Sequence, residues 1–135
     1  LPILMLSSPD QGSNTHEHAN AVAMIRTTQN TEHYVRGNNC DGWHLVKTDS
    51  LSVIQERMPP GASEQPHVHL QAQQLFYVLA GLATFEVEGQ IFAVKANESI
   101  HIPRGATHYI ANKSDQDLDF LVISEPKAQG DRYLV

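Results

Sequence analysis

Cysteine is nearly missing from this chain: of 135 residues, Cys40 is the single one. One thiol closes no intrachain bridge, so a disulfide-stapled fold is excluded and a cytoplasmic location is favoured. The start at Leu1 keeps a clipped export signal compatible with the sequence. Long apolar runs are missing too. Residues 1–6 are apolar but short and carry no basic lead, so they read as neither a membrane span nor a whole signal peptide. Basic residues are scarce: nine Lys and Arg against fifteen Asp and Glu leave a formal charge of −6. With no basic block either, nucleic acid is not an expected partner. There is no phosphate loop, no GxSxG and no CxxC, so nucleophilic hydrolase chemistry has no support.

What is present is enough for one domain with a proper core, since 41% of the residues are hydrophobic. Residues 1–33 are rich in Ser, Asn, Asp, Gln and Gly and read as a flexible N-terminal arm, with a short helix possible over 19–25. From Tyr34 the text changes. Apolar-rich runs at 43–47, 51–58, 74–80, 82–87, 91–94, 99–102, 108–111 and 118–123 are each closed by Gly, Pro, Asn or Asp. Eight strands about ten residues apart, with no convincing helix among them, predict an all-β sandwich or barrel over 34–126. Residues 82–87 and 91–94 around Glu88-Gly89-Gln90 predict a hairpin. Residues 127–135 read as a polar C-terminal tail.

The informative stretch runs from Gly61 to Gly81. His67 and His69 are two apart, so on a strand their imidazoles share a face, with Cβ atoms roughly 6–7 Å apart. Pro103-Arg-Gly-Ala-Thr-His108 is a tight turn that delivers a third histidine to a later strand. Three such imidazoles would make a facial site for Fe, Mn, Ni, Cu, Co or Zn.

These residues resemble the cupin family. The first segment is similar to G-x5-H-x-H-x3,4-E-x6-G, with Gly61, His67, His69 and Gly81 in register and Gln74 where Glu is usual. The second is similar to G-x5-P-x-G-x2-H-x3-N, with Pro103, Gly105, His108 and Asn112 matching and Asn97 in place of the first Gly. Asn tolerates left-handed backbone better than most residues, so that departure is mild. The resemblance covers about residues 44–124. It implies a double-stranded β-helix, or jelly-roll, cupin barrel, commonly a homodimer, with one divalent transition metal per chain in its mouth. The ligands carried over are His67, His69, His108 and Gln74, the last either coordinating directly or supporting a ligand. A carboxamide offers one neutral oxygen where a carboxylate offers charge. Four neutral ligands would leave the ion at +2, favouring anionic or enolate-like substrates.

Other side chains carry weaker signals. Phe76, Phe85, Phe120 and Trp43 are candidates to line an apolar pocket by the metal, although core packing is the default for aromatics. Arg57 has the parity of Val53 and Gln55; it pairs with an anionic substrate if that face is inward, and with a surface carboxylate otherwise. Leu75, Tyr77 and Leu79 alternate with Phe76 and Val78 and suit core or dimer packing. His101 reads as a rim histidine, His16 and His18 as an incidental pair, and His33 and His44 lack partners. The reading is a metal-binding small-molecule enzyme, with dioxygenase-like or other Lewis-acid chemistry, isomerase or lyase included. The alternative is a non-catalytic cupin that binds a sugar or organic acid.

Overall fold

The computed structural model describes residues 22–135. Residues 1–6, His16, His18 and the first part of the expected 19–25 helix lie outside them. Residues 22–27 take neither helix nor strand.

Eleven strands follow: β1 (His33–Arg36), β2 (Cys40–Lys47), β3 (Ser52–Met58), β4 (His67–Val68), β5 (Gln73–Ala80), β6 (Leu82–Val87), β7 (Gln90–Lys95), β8 (Ser99–Ile102), β9 (His108–Ala111), β10 (Leu118–Glu125) and β11 (Tyr133–Leu134). All eight expected strands are present. The short β1, β4 and β11 give little sequence signal. A six-stranded sheet in the order β1-β2-β3-β10-β5-β8 faces a five-stranded sheet in the order β11-β4-β9-β6-β7, every pairing antiparallel. This is the expected all-β jelly-roll. Among the described residues no helix is long and apolar enough to cross a membrane.

Period-two alternation assigns the two faces. On β5, Gln74, Phe76 and Val78 turn inward; on β10, Leu118, Phe120, Val122 and Ser124 do. On β3 the inward set is Ser52, Ile54, Glu56 and Met58. Phe76, Phe85 and Phe120 interlock at the centre, with ring centroids 5.0 Å (Phe76–Phe85) and 5.8 Å (Phe76–Phe120) apart. Each fully buried aromatic contributes on the order of 2–3 kcal/mol by leaving water. The core is thus apolar in the middle, and polar residues enter the interior on β2, β3, β4, β5, β9 and β10.

Two turns show their residue requirements. The β6–β7 hairpin closes through Glu88 and Gly89 alone, both at positive φ (50° and 81°), the twist that a two-residue hairpin needs. Asn97 sits at φ 68°, so it holds the left-handed backbone that the related pattern gives to Gly.

Residues 127–135 are no detached tail. Tyr133 pairs with Val68 and Leu134 with His67, so β11 extends the sheet that carries the histidines. The chain end forms a strap over the site.

Candidate metal centre

His67 on β4 and His108 on β9 are directly opposite each other in the antiparallel register, and His69 follows one step beyond β4. All three are buried, and their ring nitrogens lie within 4.8 Å of one another. Each Nδ1 is spoken for. It lies 2.7 Å from the Gln65 carbonyl in His67, 2.6 Å from the Asp131 carbonyl in His69 and 2.9 Å from the Ala106 carbonyl in His108. A carbonyl only accepts, so Nδ1 carries the proton and donates in all three rings, which leaves the Nε2 lone pairs free. Fixing the tautomer through the outer nitrogen is how ligating histidines are oriented. Burial pushes the His67 imidazole down to about 4 and lowers that of His108, so both rings are neutral near pH 7.

Gln74 joins them from β5. Its Oε1 is 3.2 Å from His108 Nε2, and its Nε2 donates to Ser124 Oγ at 2.9 Å. With the His108 proton committed to Ala106, two lone pairs face each other, an arrangement that a cation between or beside them relieves. The donor set therefore fits a borderline divalent transition ion held by three imidazoles, with the Gln74 oxygen at hand. Gln73 points the other way, toward His101 at 3.0 Å and Glu125 at 3.0 Å.

The strap is fastened by Asp131. Its carboxylate accepts the backbone N–H groups of Leu70 (3.0 Å), Gln71 (2.9 Å) and Ala72 (2.9 Å). Burial works against the charge, and the three amides outweigh it, holding this carboxyl below the ordinary carboxylate range. The same residue's carbonyl orients His69. Arg132 follows, its guanidinium 3.4 Å from His67 Nδ1 and in no ion pair among the described residues.

A cavity of about 340 Å³ opens on His67, His69, Gln74, Phe76 and Arg132. Its other wall comes from β1–β3 and the loop before β4. There the Tyr34 hydroxyl donates to Glu56 Oε2 at 2.6 Å, and Arg36 reaches both Glu56 (3.1 Å) and Glu64 (3.1 Å). Burial raises the Glu56 pKa, with Arg36 pulling it back down. Tyr34 gets there only because residue 42 is glycine: a Cβ on Gly42 would stand 2.1 Å from the Tyr34 ring. His44 lines the same wall, and its Nδ1 is buried without a partner.

Several candidates lie elsewhere. Arg57 does not line the cavity. Its strand face is the outer one, where Nε donates to Asp119 at 2.8 Å and the guanidinium covers Trp43 at 5.6 Å. Phe85 and Phe120 are fully buried behind Phe76 and have no edge on the cavity. Trp43 is on the outer face, stacked with His33 at 5.2 Å. Tyr34, Arg36, His44, Glu56, Glu64 and the strap escape sequence reasoning. One usable signal exists: Glu56 shares the parity of Ile54 and Met58 and so had to face inward.

Comparison with known proteins agrees with this geometry. Residues 54–124 match the family described as "Cupin domain". The chain is 31% identical over 85 residues to the oxalate-binding protein of Thermotoga maritima, covering 59% of this chain and 70% of that one. It is 32% identical over 106 residues to the mannose-1-phosphate guanylyltransferase of Escherichia coli strain K12, which takes in 76% of this chain and 22% of the enzyme. Its backbone superposes on KdgF from Halomonas sp. with a TM-score of 0.72 at 17% identity, over 78% of this chain and 96% of that one. With the family matched over more than half its length and the three histidines gathered in the barrel, this chain belongs to the cupin family.

Proposed function

We propose that this cupin is a metal-dependent enzyme acting on a small, oxygen-rich acid. One divalent transition ion (Fe, Mn, Ni, Cu, Co or Zn) would be held by His67, His69 and His108, with Gln74 beside them. The observation that carries this reading is the shared orientation of the three rings, each Nδ1 given to a backbone carbonyl and each Nε2 free. Such an ion supplies Lewis acidity to the ligand's oxygens and, if it is iron, the means to use O₂. The protein's own part is charge and placement. No carboxylate completes the donor set, so the ion keeps its full charge, and Arg132 adds another beside His67. Both favour an anionic group at this end. The strap and Phe76 limit water there. Dioxygenase-like chemistry on a dicarbonyl or enol, or isomerase or lyase chemistry on an oxygenated acid, are the reaction classes within reach. A homodimer belongs to the same proposal, with Leu75, Tyr77 and Leu79 on the outer face of β5 as its packing set.

A second reading is a binding module for a small organic acid, favoured by the likeness to a protein named for binding oxalate. Reconstitution with Fe²⁺, Mn²⁺, Ni²⁺, Cu²⁺ and Zn²⁺, followed by O₂-consumption and product assays over dicarbonyl, enol and hydroxy-acid compounds, separates the two. Metal-dependent turnover supports the enzyme. Saturable binding with no turnover on any metal supports the module and ends the first reading.

A further inference from the structure

The cavity wall built by β1–β3 has no part in holding an ion, yet it carries more polar groups than packing requires. Tyr34, His44 and Glu56 all line it. His44 is 8% exposed, its Nδ1 is buried with no partner, and neither of its nitrogens makes a hydrogen bond among the described residues. Leaving a buried polar group unsatisfied is costly, and a native structure that keeps one has a reason for it. Burial, reinforced by Lys47, lowers the pKa of His44, which keeps the ring neutral, able to donate at one nitrogen and accept at the other. Next to it, the Glu56 carboxylate keeps spare lone pairs beyond those given to Tyr34 and Arg36.

The charge on this wall decides what fits. Arg36 is already shared between Glu56 and Glu64, so on this side acidic groups outnumber basic ones. A carboxylate arriving here would find acceptors, like charge and an occupied guanidinium. A hydroxyl both donates and accepts, which matches Glu56 on one side and the His44 ring on the other.

We propose that Tyr34, His44 and Glu56 form a hydroxyl-binding subsite, so that the ligand is a hydroxy acid lying across the cavity, anionic at the histidine and Arg132 end and uncharged at the β1–β3 end. The proposal deepens the reading of the metal centre and rests on it. It also separates this chain from a site for a bare two-carbon diacid, which would leave most of the 340 Å³ empty.

The test uses titration calorimetry on the full, Mn²⁺-loaded protein with three probes. Glycolate reaches only the histidine end. D-gluconate and D-glucarate have the same carbon chain and differ at the far end, hydroxymethyl in one and carboxylate in the other. The expected result is gluconate binding at least tenfold tighter than both glycolate and glucarate. Glu56→Gln, which removes the negative charge, should narrow the gluconate–glucarate gap. His44→Phe should weaken gluconate about tenfold, with circular dichroism confirming that the variant is folded. Glycolate binding with gluconate no tighter than glucarate overturns the subsite and leaves the metal reading standing. Binding of none of the three overturns both.

Discussion

In the histidine cluster every ring is held by a backbone carbonyl, two of them only two residues upstream, and the Nε2 atoms are the ones left over. On the β1–β3 wall, side chains hold side chains: Tyr34 on β1 and Arg36 on β1 reach across β2 to Glu56 on β3. The first arrangement is local for His67 and His108, and only His69 leans on a distant segment, the strap at Asp131. The second depends on register across three strands and on the missing side chain at Gly42. A metal site needs the first kind of support, because its geometry tolerates little error. A wall that grips a ligand's hydroxyl can be built from the second.

Four substitutions sharpen this contrast. Phe120 backs the cavity without touching it, so Phe120→Ala should cost about 3–5 kcal/mol in urea unfolding, the usual toll of emptying a packed aromatic site. A smaller loss would mean that the core relaxes around it. Asp131→Ala releases the strap whose carbonyl orients His69, and metal affinity should drop roughly 10–100-fold in competition with a chelator. Affinity equal to wild type would show that the strap is dispensable. The same aspartate predicts a pH effect. Its folded pKa lies below the unfolded value, so its stabilisation is full above the ordinary carboxylate range and is lost as pH falls through the folded pKa. Protection of the Leu70–Ala72 amides, taken relative to the intrinsic exchange rate at each pH, should therefore fall on acidification in wild type and be already low in Asp131→Ala.

Gly42→Ala pushes the Tyr34 ring aside and should cost about 1–2 kcal/mol while metal content stays at the wild-type level. Loss of metal in this variant would tie the two walls together and defeat the contrast. The smallest effect belongs to Arg57→Ala, on the outer face. An exposed ion pair is worth about 0–1 kcal/mol, so melting should barely move and ligand binding not at all. A fall in ligand affinity would return Arg57 to the cavity.

The same contrast explains how much could be read in advance. Spacing put His67 and His69 on one face and a Pro-Gly turn ahead of His108, and the resemblance to the cupin pattern joined the three. Parity with Phe76 and Val78 likewise turned Gln74 inward, and apolar runs closed by turn residues located eight of the eleven strands. The β1–β3 wall was opaque for a physical reason: Tyr34 and Glu56 lie twenty-two residues apart and meet only through strand register. The strap was opaque because β11 is two residues long and Asp131 acts on the amides of Leu70, Gln71 and Ala72, far away in sequence, which no periodicity marks. Aromatic residues misled in the opposite direction. Phe85 and Phe120 fill the core, as large apolar side chains usually do.

The central claim is that three backbone-anchored imidazoles hold one ion. Elemental analysis of gently purified, untagged protein, alongside the His67→Ala/His108→Ala double variant, tests it most directly. The account predicts close to one transition-metal ion per chain in the wild type, directly or after reconstitution, and none in a double variant that is still folded by circular dichroism. Metal content unchanged in the folded double variant, or a wild type that takes up no ion under any reconstitution, would contradict it.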